Sequence, residues 1–206
     1  MTLITGDRAV FTHVRLLGNQ DTVYAGSRNC APDGSSCVAA RQYFAACTIA
    51  GNVDFIFGDG KTVFDHCEIR STAHKGGFIT AQAKHSPQED SGFVFVHCKL
   101  TADAGAEPPI YLGRPWRPYA TVVFIDTEMG AHIAPAGWRE WHPGETHSLD
   151  TAFYGEFGST GPGAHAKERD PRAHMLSAEQ AKEYMPQIFL RGADGWDPTA
   201  ATGTGR

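Results

Sequence analysis

A phrase built on one phenylalanine recurs five times in this chain and leaves few folds open to it. Phe11-x-x-Val14-x-Leu16 is followed by Phe44-x-x-Cys47-x-Ile49, Phe64-x-x-Cys67-x-Ile69, Phe95-x-x-Cys98-x-Leu100 and Phe124-x-x-Thr127-x-Met129. The alternation of inward and outward positions is that of a β-strand. The copies lie 33, 20, 31 and 29 residues apart, so the strand is kept while its connections vary. Repeats of this size around a fixed apolar strand specify a solenoid. With so little helical periodicity between copies, an all-β, parallel β-helix fits better than a leucine-rich or ankyrin array. The best helix candidate is 177–185, with Ser177 as N-cap and Gln180 completing a capping box. Residues 155–173 read as loop.

A second doublet lies inside this frame. Gly18-Asn19-Gln20-Asp21-Thr22-Val23-Tyr24 and Gly51-Asn52-Val53-Asp54-Phe55-Ile56-Phe57 share the pattern Gly-Asn-x-Asp-x-(Val/Ile)-(Tyr/Phe). Asp21 stands five residues after Leu16, and Asp54 five after Ile49. On stacked coils the two aspartates therefore fall one strand spacing apart, roughly 4.8 Å between backbones. A carboxylate set among Val53, Phe55, Ile56 and Phe57 needs a partner or a use, because burying an unpaired charge costs several kcal/mol or more. His74 shares the offset after Ile69 and reads as solvated or structural.

Composition removes several classes of function. The 206 residues carry a net charge of −5, which offers no basic footprint for nucleic acid. No apolar run approaches the ~20 residues of a membrane span. The N-terminus lacks the basic and apolar regions of a signal peptide and leads straight into a strand pattern, as if the chain started inside a domain. The five cysteines, at 30, 37, 47, 67 and 98, show none of the paired spacings of a zinc site, so no metal or other cofactor is expected. Residues 25–40 read as an inserted surface loop in which Cys30 and Cys37 could close a short bridge, and residues 192–206 as a polar tail.

Two adjacent carboxylates do not ionise with equal ease. A nearby cation keeps one charged, and the other is pushed towards the acid form, which yields a nucleophile or base beside a general acid. Arg114, in the stiff segment Gly113-Arg114-Pro115-Trp116, is the natural cation. Gln20 offers an amide N–H to an oxyanion. Tyr24, Phe57, Trp116, Tyr119, Trp138 and Trp141 offer flat faces for sugar rings. Gln82 reads as an interior hydrogen-bonded side chain without a catalytic part, and Cys47, Cys67 and Cys98 as stacked inward residues.

The stretches QDTVY (20–24), GNVDFIFGDG (51–60), ITAQAK (79–84) and YLGRPWRPYA (111–120) resemble the signatures of the pectin methylesterases. GPG (161–163) and FLRGADGWDP (189–198) extend the resemblance over nearly the whole chain. It implies a right-handed parallel β-helix, a pectin-lyase-like solenoid with a short C-terminal helix and tail, in a secreted or periplasmic, metal-free carbohydrate esterase. The resemblance assigns Asp54 as nucleophile, Asp21 as general acid/base, Gln20 as oxyanion donor and Arg114 as the group holding the nucleophile. It puts Trp116, Phe57, Tyr24 and Val53 along the sugar cleft, to which the flat ring of Tyr119 adds, and it pairs Cys47 with Cys67 in a disulfide. The implied substrate is methylated homogalacturonan, handled by a monomer that binds neither nucleic acid nor membrane.

Members of that family have a further oxyanion glutamine on a coil preceding the strand at 9–17. This chain begins too late to contain it, so a weak or inactive esterase is expected. Two rival readings stay open at this level. One is another β-helix hydrolase, acting on a different ester or on polygalacturonate; inverting glycosidases need carboxylates about 6.5–9.5 Å apart. The other is a non-catalytic carbohydrate-binding remnant.

Overall fold

A computed structural model describes residues 1–28, 37–73, 75–145 and 148–202. Strand β1 (Thr2–Ile4) precedes a series of coils, each made of up to three strands. The first coil holds β2 (Ala9–Thr12), β3 (Arg15–Leu17) and β4 (Val23–Ala25), the second β5 (Arg41–Ala45), β6 (Thr48–Gly51) and β7 (Val53–Gly58). The third holds β8 (Lys61–Asp65), β9 (Glu68–Ser71) and β10 (Gly77–Gln82), the fourth β11 (Gly92–Val96), β12 (Lys99–Ala102) and β13 (Ile110–Gly113). The fifth has β14 (Thr121–Ile125) and β15 (Glu128–Met129). Then come α1 (Ser148–Thr151), β16 (Phe153–Phe157), β17 (His174–Met175), α2 (Ala178–Lys182), α3 (Pro186–Phe189) and α4 (Thr199–Thr202).

All ladders between named strands are parallel, and three sheets run the length of the molecule. The first is β1-β4-β7-β10-β13, the second β17-β16-β14-β11-β8-β5-β2, and the third β15-β12-β9-β6-β3. This is the parallel β-helix expected from the repeat, right-handed as the resemblance implies. The five phenylalanines pair in register, Phe11 with Phe44, Phe44 with Phe64, Phe64 with Phe95 and Phe95 with Phe124. Their rings stack at 4.7, 5.0, 4.6 and 4.5 Å down the interior. The column from Leu16 through Ile49, Ile69 and Leu100 to Met129 is likewise in register. Consecutive coils are thus stitched by identical side chains at identical heights, which fixes register because a one-residue slip would turn each set outward.

The second sheet is buried on both faces. Its outer face, including Tyr43, Val63, Val94, Val123 and Ile125, is covered by Leu176, Ala181, Leu190 and the rings of Tyr184, Phe189 and Trp196. That double burial explains apolar runs such as Thr121–Ile125, where alternation is lost. Helix α2 carries the expected capping box between Ser177 and Gln180.

Several expectations are corrected. Residues 155–157, expected as loop, belong to β16; Glu156 pairs with Phe124 and so takes the phenylalanine position, which hid the strand. The buried Arg169 neutralises Glu156 there, at 2.6 Å. The segment expected as a polar tail, 192–206, contacts the second coil in its described part, where Arg41 binds Asp194 at 2.6 and 2.8 Å and lies 5.4 Å from the Trp196 ring centre. Cys47 and Cys67 are free thiols, as is Cys98, and no bridge joins them. The three sit at equivalent positions with one orientation. Each Sγ donates to a carbonyl of the preceding coil, Phe11, Phe44 and Phe64 respectively, at 3.3 to 3.5 Å. Parallel side chains keep the sulfurs near the coil spacing, far longer than an S–S bond. Cys37 is disulfide-bonded, whereas Cys30 and His74 lie outside the described residues.

Candidate active site

The site grows out of the first sheet. The two Gly-Asn-x-Asp phrases lie on adjacent coils and bond to each other: Gly18 N–H to Ala50 O at 3.0 Å, Asn52 N–H to Asn19 O at 3.0 Å, and Asp21 N–H to Val53 O at 3.2 Å. Val23 then pairs with Ile56 and Tyr24 with Phe57, so Asp21 and Asp54 occupy equivalent places. Both have left-handed backbones, with φ of 55° and 48°. Such conformations are uncommon for residues other than glycine and concentrate at functional positions.

A bulge aims Asp54. Val53 pairs with Phe78 and Ile56 with Thr80, so Asp54 and Phe55 together face the single residue Ile79. An extra residue in one strand reorients the side chains around it. Phe55 turns into the core, and Asp54 meets Arg114. The glycines bounding this stretch are steric requirements. A Cβ at Gly51 would lie 2.3 Å from Phe55 Cβ and 2.5 Å from Asn19 O, and one at Gly58 2.3 Å from Ala25 O.

Arg114 grips Asp54 through two parallel bonds, Nε to Oδ1 at 3.0 Å and Nη2 to Oδ2 at 2.7 Å. The guanidinium is itself held between two rings, 4.2 Å from the centres of Phe78 and of Trp141, and it donates to Trp141 O at 3.2 Å. A planar cation stacked and forked in this way has one orientation, which a lysine would not reproduce. Asp21 is left half-buried beside this charge pair. Burial, and then the negative charge of Asp54, push its carboxyl above the ordinary value of 3.8. Gln20 is exposed next to it.

An aromatic row adjoins the carboxylates. Tyr24 stacks on Phe57 at 4.7 Å, and Trp116 leans on Phe57 at 6.0 Å with an angle of 60°. Val53 is half-buried beside them and lines a pocket of about 440 Å³ that continues along the sheet past Lys75, Phe78, Tyr111 and Arg139. Tyr119 is half-buried farther along the Arg114 segment and, among the described residues, makes no ring contact with the row. Trp138 belongs to the core instead, stacked on Tyr154 at 4.0 Å, so its flat face is spent internally. Gln82 is a structural side chain as expected: its Oε1 accepts from Thr121 N–H at 2.8 Å and its amide donates to Ser91 Oγ at 2.7 Å. Phe78 was not singled out in the sequence; its only signal is its place just before the ITAQAK stretch.

Two aspartates at equivalent places on adjacent coils, a caged arginine and an aromatic row thus lie together along one side of a β-helix. Residues 2–193 match the family model described as pectinesterase. The chain is 38% identical over 194 residues to pectinesterase QRT1 of Arabidopsis thaliana, covering 94% of this chain and 46% of that protein. Among solved structures, the pectin methylesterase from carrot superposes with a TM-score of 0.80 at 30% identity, covering 95% of this chain and 60% of the carrot one. A pectin methylesterase in complex with a hexasaccharide superposes with a TM-score of 0.67 at 29% identity, over 94% and 59% of the two chains. The chain belongs to the pectinesterase family. It spans about a third to a half of the length of the curated relatives it matches. Among the described residues, no helix is long and apolar enough to cross a membrane.

Proposed function

We propose that the chain carries the catalytic cleft of a pectinesterase, which hydrolyses galacturonate methyl esters of methylated homogalacturonan to free carboxylate and methanol. Asp54 is the nucleophile, and one of its oxygens attacks the ester carbonyl carbon. The Gln20 amide donates to the tetrahedral oxyanion, whose collapse breaks the bond to the methoxy oxygen. Asp21, protonated at the outset, gives its proton to that oxygen, and methanol leaves. The Asp21 carboxylate then takes a proton from water, and the hydroxide formed attacks the acyl carbon. Cleavage of the acyl-enzyme returns the carboxylate of Asp54, the acid form of Asp21 and a free galacturonate.

The observation that carries this proposal is the asymmetry of the pair. Arg114 supplies a forked positive charge to Asp54, while burial and the charge of Asp54 favour the acid form of Asp21. Arg114 thereby orients the nucleophile without touching the ester. Tyr24, Phe57, Trp116 and Val53 face the sugar chain, and Tyr119 sits at its edge. Lys75 and Arg139, along the adjoining pocket, suit the free carboxylates of neighbouring galacturonates. The family reading carries with it action outside the cytoplasm, by a monomer whose ester chemistry needs no metal.

Methanol release from highly methylated pectin, measured beside Asp54→Ala, tests the proposal. The expected outcome is slow methanol release from the native chain and none above background from the variant. New reducing ends without methanol would assign a glycosidase instead, and retention on pectin with neither product would leave only a binding module.

A further inference from the structure

Away from the cleft, on the turn between the second and third sheets, three consecutive coils bring together residues that the reaction does not use. The strands β8, β11 and β14 pair Asp65 with Val96 and Val96 with Ile125. The next residue on each coil, His66, His97 and Asp126, has a left-handed backbone, with φ of 50°, 51° and 45°. These turns stack the three side chains as rungs about one strand spacing apart. Asp65 occupies a position that Ala45, Val96 and Ile125 fill with apolar groups on other coils, so a buried carboxylate stands in an otherwise hydrophobic column.

We propose that Asp65, His66 and His97 form a binding site for a divalent transition metal of the zinc type. Asp65 Oδ1 lies 2.6 Å from His66 Nδ1 and 3.7 Å from His97 Nδ1, and one ligand atom of each residue falls within 4.8 Å of the other two. Ligand atoms about 2.0–2.2 Å from a tetrahedral zinc stand roughly 3.4 Å apart. The His97 separation is already close to that, and the His66 ring, half exposed, needs only a small rotation to open its hydrogen bond. Two imidazoles with one carboxylate select zinc, nickel or copper over calcium or magnesium, which prefer oxygen.

The surroundings supply the orienting partners that such ligands require. The Tyr43 hydroxyl donates to Asp65 Oδ2 at 2.5 Å, which turns Oδ1 towards the two histidines. His97 Nε2 lies 3.9 Å from Asp126 Oδ2, on the side away from Asp65; that carboxylate's charge favours the N–H at Nε2 and leaves Nδ1 to face the ion. The imidazoles are 52% and 40% exposed, leaving a fourth position open to water. A bound ion would tie the third coil to the fourth and would leave the chemistry at Asp54 unchanged.

Titration of the native protein with ZnCl2 by calorimetry, together with thermal unfolding, tests the site. One ion per chain is expected, with a rise in Tm of roughly 5–10 °C at a hundredfold excess over Kd. His97→Ala and His66→Ala should each weaken binding at least tenfold and remove the Tm shift. His165→Ala, a surface control, should keep both, and methanol release should be unchanged in all three. Cobalt substitution should give tetrahedral d–d bands without thiolate charge transfer, which separates this site from the cysteine column. Binding that survives His97→Ala and His66→Ala would overturn the proposal, as would no binding below millimolar zinc.

Discussion

Asp21 and Asp54 share a left-handed backbone and differ in what surrounds them, and the proposed division of roles rests on that difference. Asp54 receives a forked arginine; Asp21 receives burial and the field of Asp54. Because the carboxyl of Asp21 is raised, its acid form is the one the fold favours. The associated stability is present below the ordinary value of 3.8 and is lost as pH rises through the raised value. Asp21→Asn should therefore unfold at a higher temperature than the native protein at pH 7, with the gain shrinking towards pH 3. The same variant should lose about 10²–10⁴ in methanol release, the usual contribution of a general acid/base. A melting series against pH beside the activity assay checks both halves. A lower Tm at pH 7 would remove the electrostatic account of this residue.

Among elements, the interior strand of each coil contributes far more than the capped helix. Phe64 is fully buried, packed on Phe44 at 5.0 Å and on Phe95 at 4.6 Å. Phe64→Ala should cost about 3–5 kcal/mol, because the stack above and below cannot collapse into the space. Ser177→Ala removes one cap from an exposed helix terminus and should cost about 1 kcal/mol. Urea unfolding of the two variants distinguishes them, and comparable losses would mean that the coils are not the principal source of stability. The element that escaped recognition, β16, shows the limit of the pattern. Its phenylalanine position holds Glu156, tolerated because Arg169 binds it and also donates to the carbonyls of Ala134, Pro135 and Gly163.

At the scale of the molecule, the two ends of the solenoid are joined through Arg41. It binds Asp7 on the first coil and Asp194 beyond α3. Hydrogen bonds from Arg41 hold Asp7 down at about 2, against an ordinary 3.8. A depressed carboxyl contributes stability above its unfolded value and loses it as pH falls, here between about pH 4 and pH 2. Asp7→Asn should lower Tm at pH 6 and match the native protein near pH 2; a constant offset across that range would exclude the clamp. The cysteine column gives a separate whole-chain expectation. Alkylation of denatured, unreduced protein, followed by peptide mapping, should label Cys47, Cys67 and Cys98 and leave Cys37 unlabelled. Protection of Cys47 and Cys67 together would restore the bridge that the structure lacks.

The solenoid and the aspartate pair were legible in the sequence because each coil packs on the next. Equal positions in successive repeats become spatial neighbours, so aligning Phe11 with Phe44, or Asp21 with Asp54, already states a contact. The bounding glycines carried the same information, since Gly51 and Gly58 have no room for a Cβ. What the repeat does not encode was decided only by the folded structure. Arg114 was legible as the cation, but the rings of Phe78 and Trp141 that cage it and aim it at Asp54, 60 residues away, come together only in the fold. Trp138 went to the core and Trp141 to the arginine, although their spacing treats them alike. The thiols of Cys47 and Cys67 stayed apart because parallel rotamers govern the sulfur separation, and rotamers follow packing rather than spacing. The cluster of Asp65, His66 and His97 arises in the same way. Its members are 1 and 31 residues apart in sequence, a pattern without meaning until stacking of the coils sets them side by side.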